Sequence, residues 1–166
     1  MEFRFCPDCG VRLSIRHVRG SDVKYCTVCG KARFAVPVPC VICLVVNELD
    51  EIALIKQTYA TENNVCVAGF IEQGETAEQA ALREVHEEIG LKPESIEYIG
   101  SYYYAKADDL MLGFCVRVKK GEFILQPDEV ESAAWYGIEQ AREQLEKGMT
   151  GKDLLKDWLE KQKQDP

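Results

Sequence analysis

Glu84, Glu87 and Glu88 follow Arg83 directly and are bracketed by Gly69, Glu75 and Gly90. On a helix, positions i, i+3 and i+4 share one surface, so these carboxylates are expected within a few ångströms of each other. Like charges that close repel, and the arrangement becomes favourable when divalent cations fill it. Oxygen-only donors on a partly open site suit Mg²⁺ or Mn²⁺, with water and substrate phosphates completing the shell. The chemistry indicated is therefore that of a phosphate ester or anhydride.

A second set of residues points to a different ion. Cys6-Pro-Asp-Cys9-Gly10 and Cys26-Thr-Val-Cys29-Gly30 are two CxxCG knuckles sixteen residues apart. Each glycine permits the tight turn that aims both sulfurs at one ion. The spacing is that of a zinc ribbon with Cys6, Cys9, Cys26 and Cys29 as ligands. Four thiolates close the shell, so this Zn²⁺ is expected to fold its segment rather than catalyse, and its loss to unfold residues 1–30 first. A third pair, Cys40 and Cys43, lies in the apolar run PCVICLVV. On a strand, i and i+3 face opposite sides, so those thiols cannot converge. Cys66 and Cys115 sit among apolar residues and read as core side chains, and His17 and His86 as surface positions.

The helix carrying the glutamates is marked by its caps. Thr76 with Gln79 forms a capping box, Ala77, Ala81, Val85 and Ile89 recur every fourth residue, and Gly90 stops the helix. After a connector over 31–37, strands are expected at 40–46, 52–57, 65–68, 96–104, 110–118 and 131–136. Helices are expected over 138–147 and 151–163, the latter capped by Thr150 with Leu154, Leu155, Trp158 and Leu159 as its apolar face. The pattern is mixed α/β.

With 166 residues, 46% of them hydrophobic, the chain holds one ordinary globular domain plus a small appendage. The boundary is expected between a ribbon over 1–35 and a main domain over 36–166. No apolar run approaches the roughly 18 residues of a membrane span, and MEFRFCPDCG has no apolar signal segment, so a cytoplasmic protein with no membrane partner is expected. In that compartment paired cysteines read as metal ligands rather than disulfides. The net charge of −8 is uneven: residues 1–35 carry seven Lys/Arg and three Asp/Glu, the remainder thirteen and twenty-five. A four-thiolate zinc site adds about two negative charges, so the basic residues near it read as local compensation. An acidic main domain disfavours broad nucleic-acid binding and makes cations obligatory for an anionic substrate.

Residues 69–91 resemble the Nudix box, G-x5-E-x7-R-E-U-x-E-E-x-G-U with U aliphatic, at every specified position. The resemblance implies the Nudix α/β/α sandwich with a mixed sheet. Joined to a zinc ribbon, the chain resembles the NADH pyrophosphatases within that family. The similarity extends to Phe34, Pro39-Cys40, Leu110-Met111 and the segment from Glu129 to Trp135. It breaks where those enzymes carry the dinucleotide-recognition array SQPWPFPxS; here the chain reads Ser101-Tyr-Tyr-Tyr104-Ala-Lys-Ala-Asp-Asp109. Phe34, Ser101, Tyr102 and Tyr104 are the substrate-binding candidates. The tyrosines are open to two readings, a base-stacking platform or cross-strand packing.

The resemblance further implies that Glu84, Glu87, Glu88, Glu129 and the Ala68 carbonyl ligate Mg²⁺ or Mn²⁺. It implies that Arg83 orients Glu84 or neutralises the cluster, and that Glu75 supports the box loop. The reaction implied is metal-assisted attack of water on a pyrophosphate phosphorus, with Glu87 or a loop glutamate as base. Substrates are expected among NADH, NAD, ADP-ribose and related dinucleotides, with an NAD-capped RNA end included by analogy and a homodimer implied by the family. The alternative is a nucleotide-sensing module whose ribbon contacts a protein or nucleic acid; an intact set of carboxylates argues against it.

Overall fold

The computed structural model describes residues 3–59 and 63–164. The chain divides into two units, Met1–Val38 and Pro39–Pro166. In the first, β1 (Ser14–Val18), β2 (Ser21–Cys26) and β3 (Lys31–Arg33) form an antiparallel sheet in that order. The expected connector over 31–37 thus contains a strand. The turn closed by the Gly30 N–H on the Cys26 carbonyl (2.9 Å) returns the chain along β2, where Lys31 to Arg33 find backbone partners. Cys6, Leu13 and Cys26 are the buried residues of this unit's small cluster.

The second unit is built on a six-stranded sheet: β4 (Val38–Val46), β5 (Ile52–Gln57), β6 (Val67–Phe70), β7 (Pro93–Tyr104), β8 (Asp109–Val118) and β9 (Val130–Tyr136). The order is β7-β8-β4-β5-β9, with β6 beside β4. Along β4, Val41, Cys43 and Val45 enter one core while Ile42, Leu44 and Val46 enter the other. A strand apolar on both faces needs a layer on each. The helix α1 (Ala77–Ile89) covers the first face through Ala80, Ala81, Val85 and Ile89. On the opposite face lie α2 (Ile138–Leu145) and α3 (Met149–Gln162), through Ala141, Leu145, Leu154, Leu155 and Trp158. The α/β/α arrangement is the one expected.

Cys43 and Cys40 do lie apart, Cys43 packing under α1. Several boundaries differ from expectation: β4 and β7 begin earlier, at Val38 and Pro93, and α2 ends earlier, at Leu145. The helix α3 is entered from an extended Gly148 (φ −102°, ψ 132°), so Thr150 lies inside it and caps nothing. The Gly148 N–H bonds the Leu145 carbonyl at 2.9 Å, which closes α2 and lets the next helix begin at once. The strand β6 runs two residues later than expected, into the box glycine, while Val65 pairs with Ile55 as an isolated bridge.

Candidate functional site

The geometry of the site begins with the caps of α1. The Thr76 hydroxyl accepts the Gln79 N–H and the Gln79 side chain accepts the Thr76 N–H, while Gly90 ends the helix in the left-handed region at φ 71°. The same glycine admits a loop: a Cβ there would stand 2.5 Å from Ile124 Cβ. Helical phase then decides which glutamates are buried. Glu84 and Glu88 turn inward at 7% and 1% exposure beside Val85 and Ile89, whereas Glu87 stays exposed.

Arg83 ties the box together. Its guanidinium donates to both Glu75 oxygens (2.8 and 3.0 Å), to Glu84 Oε1 (2.7 Å), to Glu87 Oε2 (2.9 Å) and to the Phe70 carbonyl (3.0 Å). Glu75 in turn accepts the Glu72 N–H at 2.9 Å. Arg83 is thus bonded to Glu84 and to two further carboxylates of the box at once. These bonds hold the Glu75 carboxyl below its ordinary range and raise Arg83. Glu84 is shifted upward by burial against the pull of Arg83.

Glu88 receives no such support. Both its carboxylate oxygens are buried without a hydrogen-bond partner, and the Ala68 amide offers only a partial counter-pull. Burial first, then the charges of Glu84 and Glu129, push its carboxyl from 4.5 up to about 8. Two orphaned carboxyl oxygens beside other carboxylates are a fit for a divalent cation, which would displace the proton and supply both charge balance and ligation.

Arg83, Glu84 and Glu87 border a cleft of about 680 Å³, with Glu88 buried behind them. Its walls are Cys40 from β4, Ala68, Gly69 and Phe70 from β6, Asp109 and Met111 from β8, the α1 residues Arg83, Glu84 and Glu87, and Gln126, Asp128 and Glu129 from the loop before β9, with Glu72 and Tyr59. Glu129 thus lines the same cleft as Glu84, 45 residues before it in the chain. Its charge reaches both Glu84 and Glu88. The carboxylates are less tightly clustered than helical spacing implied. Among the described residues, only the four ribbon cysteines form a group of three or more His, Cys, Asp or Glu with donor atoms all within 4.8 Å. Arg83 is the reason, since its guanidinium draws Glu84 and Glu87 toward itself while Glu88 turns into the core.

Gly69 is required by close approach rather than by backbone angle. A Cβ at this position would lie 1.9 Å from Glu84 Oε1. Gly69→Ala must therefore displace the Glu84 carboxylate, and a misplacement of about 1 Å costs on the order of 100-fold in rate. We expect that loss in kcat/KM with the fold retained by circular dichroism; normal turnover would mean Glu84 does not act where it stands.

The expected substrate-binding residues are not among those lining the cleft. Ser101 is exposed, and Phe34 is an exposed residue of the first unit. Tyr102 donates to Asp157 on α3 at 2.9 Å and packs against the second core, over Gly113, where a Cβ would meet its ring at 2.7 Å. Tyr104 is half-buried, and the exposed Tyr103 bonds Asp108 at 2.7 Å. Of the two readings left open, packing is the one this geometry supports for Tyr102. Tyr102→Phe is expected to lower stability by about 1 kcal/mol, the worth of one hydrogen bond, and to leave KM unchanged; a raised KM would return it to the substrate site. Tyr59 and Phe70, 67% and 62% exposed, are the aromatics on the cleft wall. Phe70 lies beyond the expected end of its strand at residue 68, at the alternate position from Ala68 on β6. Tyr59 had no local signal.

In the first unit the four sulfurs converge. Cys6 and Cys29 Sγ lie 3.9 Å apart and Cys9 and Cys26 Sγ 3.5 Å. A tetrahedron of zinc–thiolate bonds near 2.3 Å has edges of about 3.8 Å, so the donor set and spacing fit that ion. Burial alone would raise the Cys6 thiol, yet the Asp8 and Cys9 backbone amides and the Arg33 guanidinium hold it down at about 6. Arg33 donates to Cys6 Sγ at 3.6 Å and pairs with Asp8, which Lys31 joins at 3.1 Å. Arg33 thus faces a knuckle sulfur, while Lys31 pairs with Asp8 beside it. His17 and His86 are exposed, though His17 pairs with Asp22 at 3.0 Å.

Residues 36–159 match the NUDIX domain family. The chain belongs to the Nudix family. Among similar proteins is the NAD-capped RNA hydrolase NudC of Pseudomonas putida, 36% identical over 138 residues, which cover 82% of this chain and 49% of that protein. The chain thus spans about half the length of the curated relatives it matches. A NUDIX hydrolase from Nitrosomonas europaea has the same fold at a TM-score of 0.75 and 22% identity, over 98% of this chain and 94% of that one. The NUDIX domain of Shewanella oneidensis NrtR, solved with ADP ribose, is similar at a TM-score of 0.66 and 15% identity, over 78% of this chain and 90% of that one. These likenesses support the mixed-sheet α/β/α Nudix fold. Among the described residues, no helix is long and apolar enough to cross a membrane.

Proposed function

We propose that this chain is a metal-dependent Nudix pyrophosphohydrolase. Its substrates are nucleoside diphosphates linked to another moiety, of the NAD(H), ADP-ribose or NAD-capped RNA kind. The observation that carries the reading is Glu88, whose two buried, unpartnered oxygens lie within the field of Glu84 and Glu129, two carboxylates that line the cleft. Among the described residues that cleft holds six carboxylates and one cationic side chain, Arg83, which is already engaged by three of the box glutamates. An anionic phosphate meets no uncommitted cation among those residues, so its entry depends on divalent ions.

Glu84, Glu88 and Glu129, with Glu87 and the Ala68 carbonyl, would hold Mg²⁺ or Mn²⁺. Such ions, when bound, polarise the phosphoryl oxygens and neutralise the departing phosphate. Arg83 keeps Glu84 and Glu87 oriented, and Gly69 lets the substrate-side strand approach Glu84. Tyr59 and Phe70 offer flat apolar faces for a base or nicotinamide ring. The proton of the attacking water passes to a carboxylate at the cleft mouth, Glu87 or Glu129. A structural Zn²⁺ in the ribbon, a homodimer and a cytoplasmic location belong to the same reading.

A panel of NADH, NAD, ADP-ribose, diadenosine polyphosphates, nucleoside triphosphates and an NAD-capped oligonucleotide, each with Mg²⁺ and Mn²⁺, tests it. Release of AMP or a 5′-monophosphate from a dinucleotide or ADP-ribose is the expected result. No turnover of any of them, with binding of one retained, would replace the enzyme by a nucleotide sensor.

A further inference from the structure

We infer that Gln126 is a positioning residue that sets Glu129 against the α1 carboxylates; the inference rests on the metal-dependent reading above. The loop before β9 reaches α1 at its last carbonyls. Ile124 donates its N–H to the Ile89 carbonyl at 3.0 Å and Gln126 donates its N–H to the Glu88 carbonyl at 3.2 Å. The same Gln126 then begins the turn that presents Glu129: its carbonyl accepts the N–H groups of Glu129 (3.1 Å) and Val130 (2.9 Å). Its side-chain amide donates to Glu129 Oε1 at 3.1 Å. One residue is therefore bonded through its backbone to Glu88 and through its side chain to Glu129. From the other side, Thr58 holds the turn by its N–H on the Glu129 carbonyl (2.9 Å) and its hydroxyl on the Asp128 carbonyl (2.8 Å).

The type of donor matters as much as its place. A lysine or arginine here would neutralise Glu129 and compete with a cation for it. A neutral amide fixes one oxygen and leaves the carboxylate its charge, as partners that orient metal-binding carboxylates do. Gln126 also lines the cleft, so the tie lies at the site rather than behind it. It sets the distance between a helix ligand and a loop ligand that are 41 residues apart in sequence, a distance neither element fixes alone.

The test uses the full, zinc-loaded chain and Mn²⁺ alone, with free Mn²⁺ followed by electron paramagnetic resonance. Gln126→Met keeps side-chain length and the backbone bond to Glu88 but removes the amide. It is expected to weaken Mn²⁺ binding about 10-fold or more, the usual cost of losing such a partner. Glu129→Gln should weaken binding as well, and the double variant should bind no more weakly than Glu129→Gln alone, because the amide acts through Glu129. In turnover, Gln126→Met should raise the Mn²⁺ concentration needed for half-activity more than it lowers kcat at saturating Mn²⁺. Unchanged Mn²⁺ affinity in Gln126→Met, or an equal loss with and without Glu129, would overturn the inference while leaving the hydrolase reading intact. A wild-type chain that neither binds Mn²⁺ nor hydrolyses any nucleotide would overturn both.

Discussion

Glu88→Gln should lose turnover on the order of 1,000-fold, the several kcal/mol that a bound cation contributes to phosphoryl transfer, while making the metal-free protein more stable at alkaline pH. The two effects have one cause. Glu88 is 1% exposed with both oxygens unpartnered, and its carboxyl is pushed up from 4.5 to about 8. Below about pH 4.5 it is neutral whether the chain is folded or not. Between there and about pH 8 the unfolded chain ionises while the folded one keeps its proton, so stability falls as pH rises, and above about 8 the whole penalty is present. At about 1.4 kcal/mol per pH unit of that window, the penalty amounts to several kcal/mol. Glutamine carries no such penalty. Thermal melts of Mg²⁺- and Mn²⁺-free protein from pH 5 to 9 should therefore show a steeper decline for wild type than for the variant. A variant that hydrolyses substrate normally, or that melts with the wild-type pH profile, would remove Glu88 from the site.

Cys26→Ser should strip the ribbon of its metal and unfold it. Cys26 is fully buried, and its sulfur accepts the Cys29 N–H at 3.3 Å and lies 3.5 Å from Cys9 Sγ. Among the described residues the buried cluster of this unit is Cys6, Leu13 and Cys26, too little apolar area to fold 38 residues unaided. A structural zinc supplies about 10 kcal/mol or more of folding free energy, so its loss exceeds what the small sheet retains. Metal analysis should find zinc in wild type and none in the variant. Hydrogen exchange should show β1, β2 and β3 unprotected while β4, β5 and β8 keep their protection. Retained zinc with an unchanged melting temperature would mean that the four sulfurs do not fold this unit.

Much of this was legible because it is local. A capping box, a four-residue apolar period and a terminal glycine specify α1 within about fifteen residues, and two CxxCG turns specify the ribbon, since short-range geometry leaves few alternatives. The continuous apolar run of β4 marked a strand, and an uninterrupted run is what a strand covered on both faces needs. The distant Glu129 was reached only through resemblance, for nothing in the periodicity of the chain joins it to Glu84. The tyrosine run misled for the opposite reason: its composition suggests a stacking surface, but the fate of Tyr102 is decided by Asp157 on α3 and by Gly113 across the hairpin.

By itself, then, the sequence determined that α1 would form, which of its residues are acidic, and that four thiolates could share one ion, because spacing along a regular backbone fixes which side chains share a face. Only the tertiary structure decided that Glu88 would be buried without partners, that Arg83 would bind three of the glutamates at once, and that Tyr59, Phe70 and Gln126 would line the cleft. Burial, orphaned oxygens and cleft walls depend on which surfaces the sheet, α1 and the loop before β9 press together, and no local pattern in the chain encodes that contact.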